Sequence, residues 1–237
     1  MALTPDLSQS VDDGWLIEVS AVRFCESISH MFTMSMTDLV EKKMYDRRKT
    51  IGASDAVYIQ SGQWADLYDR KTSPDSPSYG LAAELGRILE PFNLELFVRE
   101  TGSQLVIDPD WQENPITHSL DDWCKFLPDA LTYREDVSND NKGSANIPVE
   151  AKCINMMWRP EGLLKRYMPQ LQHAMRVMGA PYCYFSVLYL NTKYEWTKVD
   201  YDPPYDDALF EKEQTFQFML ERGIRPPEYK GKRAGWV

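Results

Sequence analysis

The spacing of apolar side chains along the chain predicts several helices. Between Leu81 and Arg99 the apolar residues recur every three or four positions, which is the period of a helix with one apolar face. Pro91 lies inside this pattern and should bend or break the helix, because proline has no amide proton to donate. Further helices are predicted at Phe24–Arg48, from Ser54 as N-cap, at Gly162–Gly179 with Gly179 as C-cap, and at Asp206–Gly223.

Apolar runs without helical spacing predict strands between these helices. Residues 181–190, PYCYFSVLYL, form a nearly continuous apolar run that is typical of a buried strand. Residues 193–201, KYEWTKVDY, are more polar and predict a more exposed strand. Shorter strand-like segments stand at Gln104–Ile107, Leu131–Tyr133 and Ile147–Ile154. This order of elements predicts an α+β fold, with a central mixed β-sheet flanked by helices.

The segment IPVEAKCI, Ile147–Ile154, carries two opposite charges inside an apolar run. Side chains alternate between the two faces of a strand, so Glu150 and Lys152 should point the same way. Burying charge is costly unless the charge is paired, bound to a metal or used in chemistry. The segment is therefore either an ion pair on an edge strand or part of a functional site.

A second carboxylate motif, Pro128-Asp129, stands 21 positions before Glu150 at the edge of another predicted strand. Carboxylates on adjacent strands can share a hard cation that prefers oxygen ligands, such as Mg²⁺, with Mn²⁺ as an alternative. Lys152 would then be placed to orient or activate a water, or to stabilise charge developing on a phosphate. The alternative interpretation of Asp129 is an ordinary turn residue.

Composition and charge narrow the class of protein. A chain of 237 residues with 43% hydrophobic and 26% charged residues fits one substantial globular domain. The net charge of −10 argues against a generic nucleic-acid binder, unless basic residues are segregated on one surface, but it suits a cluster of metal-binding carboxylates. The four scattered cysteines predict reduced thiols rather than a metal site. No membrane-length apolar run or signal peptide is visible, so we expect no membrane association and a cytoplasmic location, which is the host cytoplasm if the chain is phage-encoded.

Four sequence blocks between about residues 47 and 190 carry a family resemblance. They are RRKTIGASDAVYI, LGRILEPFNLELFVRETG, the pair Pro128-Asp129 with Glu150-Ala151-Lys152, and YMPQLQHAMRVMGAPYCYFSVLY. In this order they resemble the lambda exonuclease type of PD-(D/E)xK nuclease, also called the YqaJ-like viral recombinase family. Ala130 departs from the glycine that this family usually has after the aspartate. The resemblance implies a restriction-endonuclease-like core.

The resemblance also implies a set of metal ligands. Asp129 and Glu150 would be the main ligands of Mg²⁺, and Glu90 would add a carboxylate from its helix. The backbone carbonyl of Ala151 or Cys153 would contribute a further oxygen. An ordinary solvated helix residue is the alternative interpretation of Glu90.

Other residues of the matching blocks receive catalytic and DNA-binding roles from the same resemblance. Lys152 would activate the attacking water, and Gln170 would help to orient Lys152 or the nucleophile. The terminal 5′-phosphate of DNA would be bound by Ser54 together with Arg47 or Arg48, of which Arg47 is favoured. The alternatives are a polar helix face for Gln170, surface charge for the arginines and a simple N-cap for Ser54.

The resemblance implies a Mg²⁺-dependent 5′-to-3′ exonuclease on linear double-stranded DNA, which produces 3′ single strands for phage-type homologous recombination. A ring-shaped homotrimer that threads DNA and a single-strand annealing protein are the implied assembly and partner. We expect an N-terminal arm of unassigned role at residues 1–40, a nuclease domain at 41–225 and a C-terminal tail at 226–237. Candidates for lining the DNA channel are Lys42, Lys43, Arg47, Arg48, Lys165, Arg166 and Arg176.

Two other functions stay open from the sequence. One is a restriction or repair endonuclease on the same core, and the other is a non-catalytic protein that binds DNA or a partner. The complete set of candidate site residues argues against the second. We give His173 no catalytic role, because its position on the helix should turn it away from Gln170. The aromatic residues Tyr182, Tyr184, Phe185 and Tyr189 are interpreted as core.

Overall fold

A computed structural model of the protein describes residues 47–73, 80–134, 146–154, 160–190 and 193–228. All of these residues belong to one compact unit, Met44–Val237. The helix predicted over Phe24–Arg48 lies outside the described residues except at Arg47 and Arg48, which form a turn. The N-terminal arm and the last nine residues also lie outside them, so the predicted domain boundaries stay predictions.

The described part of the chain contains five α-helices. The three long ones coincide with the segments that apolar spacing predicted, and Gly179 ends its helix with a left-handed φ of 61°. Among the described residues, no helix is both long and apolar enough to cross a membrane. The helices are α1 (Ala53–Gln60), α2 (Trp64–Thr72), α3 (Leu81–Thr101), α4 (Pro160–Met178) and α5 (Pro203–Glu221), with a 3-10 turn at Pro109–Gln112.

A five-stranded sheet in the order β2-β5-β6-β7-β8 lies at the centre of the fold. Strands β6 and β7 are parallel, and the other neighbours are antiparallel. A second sheet, in the order β1-β4-β3, is built from segments of two or three residues, which are too short to show a period in the sequence. The strands are β1 (Ile51–Gly52), β2 (Leu105–Val106), β3 (Ile116–Thr117), β4 (Cys124–Phe126), β5 (Ala130–Thr132), β6 (Ile147–Ile154), β7 (Tyr182–Tyr189) and β8 (Lys193–Asp200).

Helices α3 and α4 pack on opposite faces of the central sheet. Phe97 of α3 contacts Tyr184, whereas Tyr167 of α4 contacts Phe185, the next residue of the same strand. Successive strand residues point to opposite faces, so the two helices sandwich β7. Every residue of β7 is buried, whereas β8 is largely exposed, as predicted. The α+β fold with a mixed sheet flanked by helices is therefore confirmed.

Pro91 does not break its helix, and the expected N-cap of α1 is wrong. Helix α3 runs without interruption through Pro91, and its second half is fixed by burial of Asn93, Leu94 and Phe97. Ser54 is not an N-cap: α1 begins after Gly52, whose N–H donates to the carboxylate of Asp55 at 2.9 Å. A carboxylate at the third position of a helix can satisfy the amide at its start, so no cap side chain is needed.

The apolar spacing of α3 does not describe a fully buried face. Leu81 and Ile88 are 70% and 68% exposed, and Leu85 and Phe92 are also exposed. The first half of α3 therefore extends beyond the sheet that anchors its second half.

Cys124, Cys153 and Cys183 form no disulfide with one another, in agreement with the predicted reduced thiols; Cys124 and Cys183 are buried, whereas Cys153 is half-buried.

Candidate active site

The two charges of IPVEAKCI lie side by side on β6. The ammonium of Lys152 donates to Oε1 of Glu150, and Nε2 of Gln170 on α4 donates to the same oxygen. Glu150 is only 2% exposed, so its carboxylate depends on these two donors. The sequence expectation that Glu150 and Lys152 share a face is confirmed, and Gln170 joins them from the helix above.

Asp129 lies next to this pair because β5, which it precedes, is antiparallel to β6. Ala130 pairs with Val149, and Oδ2 of Asp129 accepts a hydrogen bond of 2.8 Å from the backbone N–H of Ala151. This bond fixes the carboxylate beside Glu150. Asp129 comes from the residue just before β5, and β6 supplies both Glu150 and Lys152.

The carboxylates of this group repel one another in a buried setting. Burial and the charge of Asp129 raise the pKa of Glu150 to about 7. Burial and the charge of Asp129 also raise the pKa of Glu90, to about 8. Burial also raises the pKa of Asp129, although Lys152 opposes the shift. Burial alone would lower the pKa of Lys152, but Glu150 and Asp129 raise it above its ordinary value. Glu90 on α3 thus belongs to the same electrostatic cluster.

The donor set of this cluster fits a divalent cation. If Glu90, Asp129 and Glu150 are all ionised, they exceed the single charge of Lys152, which acts on all three, by two. Arg87 also acts on Glu90 and offsets part of this excess. All three carboxylates offer hard oxygen ligands of the kind that Mg²⁺ and Mn²⁺ prefer. A cation of charge +2 would offset this excess of negative charge.

Asn93 is a residue of this site that the sequence reasoning did not identify. It is fully buried on α3, and its Nδ2 donates to the backbone oxygens of Lys152 at 3.0 Å and Ser186 at 3.2 Å. Its Oδ1 accepts from the hydroxyl of Ser186 at 2.6 Å. Because Glu90 stands one turn earlier on α3, this clamp fixes both Glu90 and Lys152 relative to the sheet. The sequence signal for Asn93 was a polar residue in the middle of the apolar face of a predicted helix.

The residues predicted to bind a 5′-phosphate lie near the start of α1. Nη2 of Arg47 donates to Oγ of Ser54 at 2.8 Å, while Arg48 is exposed on the same turn. A guanidinium beside a hydroxyl in the first turn of a helix is a suitable arrangement for a phosphate oxygen. The structure therefore brings together the residues that the sequence favoured, and their role stays a prediction.

Comparison with known proteins gives a sequence relative and structural neighbours. No protein-family model matches the chain. The uncharacterized protein YqaJ of Bacillus subtilis (strain 168) is 25% identical in an alignment of 199 residues, which covers 81% of this chain and 59% of that protein. This chain therefore spans less than two thirds of the length of that relative.

The structural similarity is to an alkaline exonuclease, LHK-Exo, from Laribacter hongkongensis. One structure matches with a TM-score of 0.58 and 20% identity over 75% of this chain and 91% of that one. Its complex with dAMP matches with a TM-score of 0.59 and 19% identity, over 77% and 94% of the two chains. The chain has the fold of these exonucleases. This fold is restriction-endonuclease-like, as the sequence blocks implied, and the similarity at this level of identity concerns the fold alone.

A separate buried cluster contains Cys124, His173 and Glu213, whose ligand-type atoms lie within 4.8 Å of one another. Nδ1 of His173 lies 2.9 Å from Glu213, and Nε2 lies 2.9 Å from the backbone oxygen of Lys125. A carbonyl can only accept, so Nε2 carries a proton and is not available to a metal. Arg176 also donates to Glu213, which brings a positive charge into the cluster. These contacts favour an ion-pair network over a metal site.

The same network corrects one DNA-binding candidate. The side chain of Arg176 is 8% exposed and pairs with Glu213 and, at 2.6 Å, with Asp206. It therefore holds α4 against α5 and does not line a DNA channel. His173 belongs to the same network, which agrees with giving it no catalytic role.

Proposed function

We propose that this protein is a divalent-cation-dependent deoxyribonuclease that degrades linear double-stranded DNA from its 5′ ends. The contact of Lys152 and Gln170 with Glu150, beside Asp129, carries the proposal. This arrangement combines hard metal ligands with a lysine that can act on a phosphate. Similarity of fold to an alkaline exonuclease supports the same class of reaction.

Glu90, Asp129 and Glu150 would hold the cation, with the carbonyl of Ala151 as a further ligand. When bound, Mg²⁺ or Mn²⁺ supplies Lewis-acid stabilisation of the negative charge on the scissile phosphate. Asp129 is already oriented for this task by the N–H of Ala151.

Lys152 acts as an ammonium group in this proposal. Two carboxylates hold its proton in place, so its N–H groups orient the attacking water and stabilise charge on a phosphate oxygen. Gln170 keeps the Glu150 carboxylate turned toward Lys152, which makes it a positioning residue for the pair.

The preference for a 5′ end comes from Arg47, Arg48 and Ser54. Arg47 and Ser54 together offer a charged donor and a hydroxyl to the terminal phosphate. Production of 3′ single strands for phage-type recombination, a homotrimer and a single-strand annealing partner complete the proposal. These three features rest on the resemblance of the sequence blocks.

The decisive experiment compares linear and covalently closed circular duplex DNA, each with Mg²⁺ or with a chelator. We expect Mg²⁺-dependent loss of linear DNA, with release of a 5′ label before a 3′ label. Cutting of the closed circle would instead support an endonuclease. Binding to DNA without cleavage in any metal would support the non-catalytic alternative.

Isosteric variants test the site itself. Glu150→Gln and Lys152→Met should each lower kcat by at least about a hundredfold. The matched control is the exposed pair Lys193 and Glu195 on β8, which has the same two-residue spacing and an Nζ–Oε1 distance of 2.7 Å. Lys193→Met and Glu195→Gln should leave the rate unchanged. Metal-dependent degradation that survives both β6 variants would overturn the assignment.

A further inference from the structure

Lys71 on α2 is a buried lysine whose ammonium is fully used inside the protein. Its side chain is 5% exposed, and Nζ donates to the backbone oxygen of Arg47 at 2.9 Å and of Thr50 at 2.7 Å. The third acceptor is Oδ2 of Asp55 at 2.8 Å. An ammonium group has three N–H donors, so these contacts satisfy all of them. Lys71 therefore acts on the protein's own backbone and does not bind DNA itself.

Asp55 connects Lys71 to the start of α1. Its Oδ2 also accepts the N–H of Gly52 at 2.9 Å, and it directly follows Ser54. Lys71 and Arg47 hold the pKa of the Asp55 carboxyl below its ordinary value, although burial alone would raise it. Burial lowers the pKa of Lys71, and Asp55 opposes that shift. The contacts of Asp55 with Lys71 and with the N–H of Gly52 fix the first turn of α1.

The segment between Arg47 and Ser54 is held from several sides. Nε2 of Gln217 on α5 donates to the backbone oxygen of Lys49 at 3.2 Å. The N–H of Ile51 donates to the backbone oxygen of Trp123 at 2.8 Å. Together with the two carbonyl contacts of Lys71, these bonds leave the turn little freedom to shift, so the guanidinium of Arg47 stays 2.8 Å from Ser54.

Three charged groups meet at this turn: Lys71, Asp55 and Arg47. Lys71 and Asp55 neutralise each other, and Arg47 adds a further positive charge that repels Lys71. Lys71 is buried, whereas Arg47 is half-buried, so the guanidinium of Arg47 is the positive group that reaches the surface. A guanidinium is well suited to binding a dianionic terminal phosphate.

We propose that Lys71, paired with Asp55, is a positioning residue that presents Arg47 and Ser54 to the 5′-terminal phosphate of DNA. It thereby sets the preference for phosphorylated over hydroxyl 5′ ends. This inference rests on the proposed 5′-phosphate site and adds the pair of residues that holds the site in place.

The test measures equilibrium binding in a chelator, where no cleavage takes place. The probe is a blunt DNA hairpin with a fluorophore in its loop and either a 5′-phosphate or a 5′-hydroxyl. Wild-type protein should bind the phosphorylated hairpin more tightly. Lys71→Met should lower this preference by on the order of tenfold while the Kd for the hydroxyl hairpin stays within about twofold.

Arg70→Met is the matched control, because Arg70 is exposed on the same helix beside Lys71 and stacks on Tyr58 at 4.8 Å. It removes the same charge but should leave the preference for phosphate unchanged. Lys71→Arg should restore part of the preference, since it returns the buried positive charge. A merely structural role would lower thermal stability in Lys71→Met without changing the ratio of the two Kd values.

If Lys71→Met alone does not fold, the double variant Asp55→Asn with Lys71→Met leaves no unpaired buried charge and gives the same comparison. Retention of the wild-type preference in either variant overturns the inference. Equal binding of both hairpins by the wild type overturns it as well. Nuclease activity in Mg²⁺ is measured separately, so a failure of the proposed reaction is distinguished from a failure of the phosphate preference.

Discussion

Asp129 accepts a hydrogen bond from the backbone N–H of Ala151 at 2.8 Å, which joins two strands at the centre of the candidate site. One oxygen of the carboxylate is thereby fixed, and the charge of the group is placed beside Glu150. Asp129 therefore has two roles: its charge acts on Glu150, and its Oδ2 accepts the hydrogen bond from Ala151.

Substitutions at Asp129 should separate these two functions. Asp129→Asn keeps an acceptor for Ala151 but removes the charge, so we expect at least a hundredfold loss of nuclease activity without loss of stability. Asp129→Ala also leaves a buried N–H unpaired, which should cost about 1–3 kcal/mol relative to Asp129→Asn. Urea denaturation in a chelator measures the difference. Equal stability of the two variants would contradict the role of the hydrogen bond.

The metal-free protein should lose stability as the pH rises from about 5 to 8. The pKa values of Glu90 and Glu150, about 8 and about 7, lie above their ordinary value of 4.5 because of burial and neighbouring charge. In this interval the folded chain keeps protons that the unfolded chain has released, so the free energy of unfolding falls with pH. Each such group contributes a slope of up to about 1.4 kcal/mol per pH unit.

Urea denaturation at several pH values, with a chelator and then with excess Mg²⁺, checks this dependence. Saturating Mg²⁺ should flatten the slope, because a bound cation stabilises the ionised carboxylates. Glu90→Gln should remove part of the slope in the chelator. A stability that rises with pH over this interval would contradict the proposed cluster.

Asn93→Ala should impair both stability and catalysis. It leaves the backbone oxygens of Lys152 and Ser186 without their buried donor, which should cost about 1–3 kcal/mol. The position of Glu90 and Lys152 should also change, so kcat should fall more than tenfold. Asn114→Ala is the control, since exposed Asn114 makes one amide contact with Asp110 at 3.1 Å. Normal kcat in Asn93→Ala would show that the clamp is structural only.

The two clusters of ligand-type groups should differ in metal content. Glu213→Gln breaks a buried ion pair with Arg176 and should destabilise the fold by about 3–5 kcal/mol, but the metal bound per chain should not change. Glu150→Gln should instead weaken Mn²⁺ binding. Elemental analysis and calorimetric titration measure both effects. Loss of bound metal in Glu213→Gln would identify that cluster as a metal site.

Local patterns predicted the elements that are long or strongly periodic. Strand β6 has the limits that the segment Ile147–Ile154 suggested, and the alternation of side chains placed Glu150 and Lys152 together. The apolar run predicted β7, because a strand buried on both faces requires apolar residues. Gly179 predicted the end of α4, because a left-handed φ favours glycine. Strands β1, β3 and β4 and helix α2 were not predicted. Segments of two or three residues carry little period, although the equally short β2 and β5 coincide with predicted strand-like segments.

The sequence by itself determined the three long helices, strands β6, β7 and β8 and the side-by-side charges on β6, because these depend on neighbours within a few residues. Only the tertiary structure decided which residues contact Glu150 and the other buried polar groups. Gln170 reaches Glu150 from a helix 20 positions later, Asn93 clamps two strands from α3, and Lys71 holds a turn 21 positions before it. Such contacts depend on how elements distant in sequence pack, and a buried polar group finds its partner only when that packing is complete.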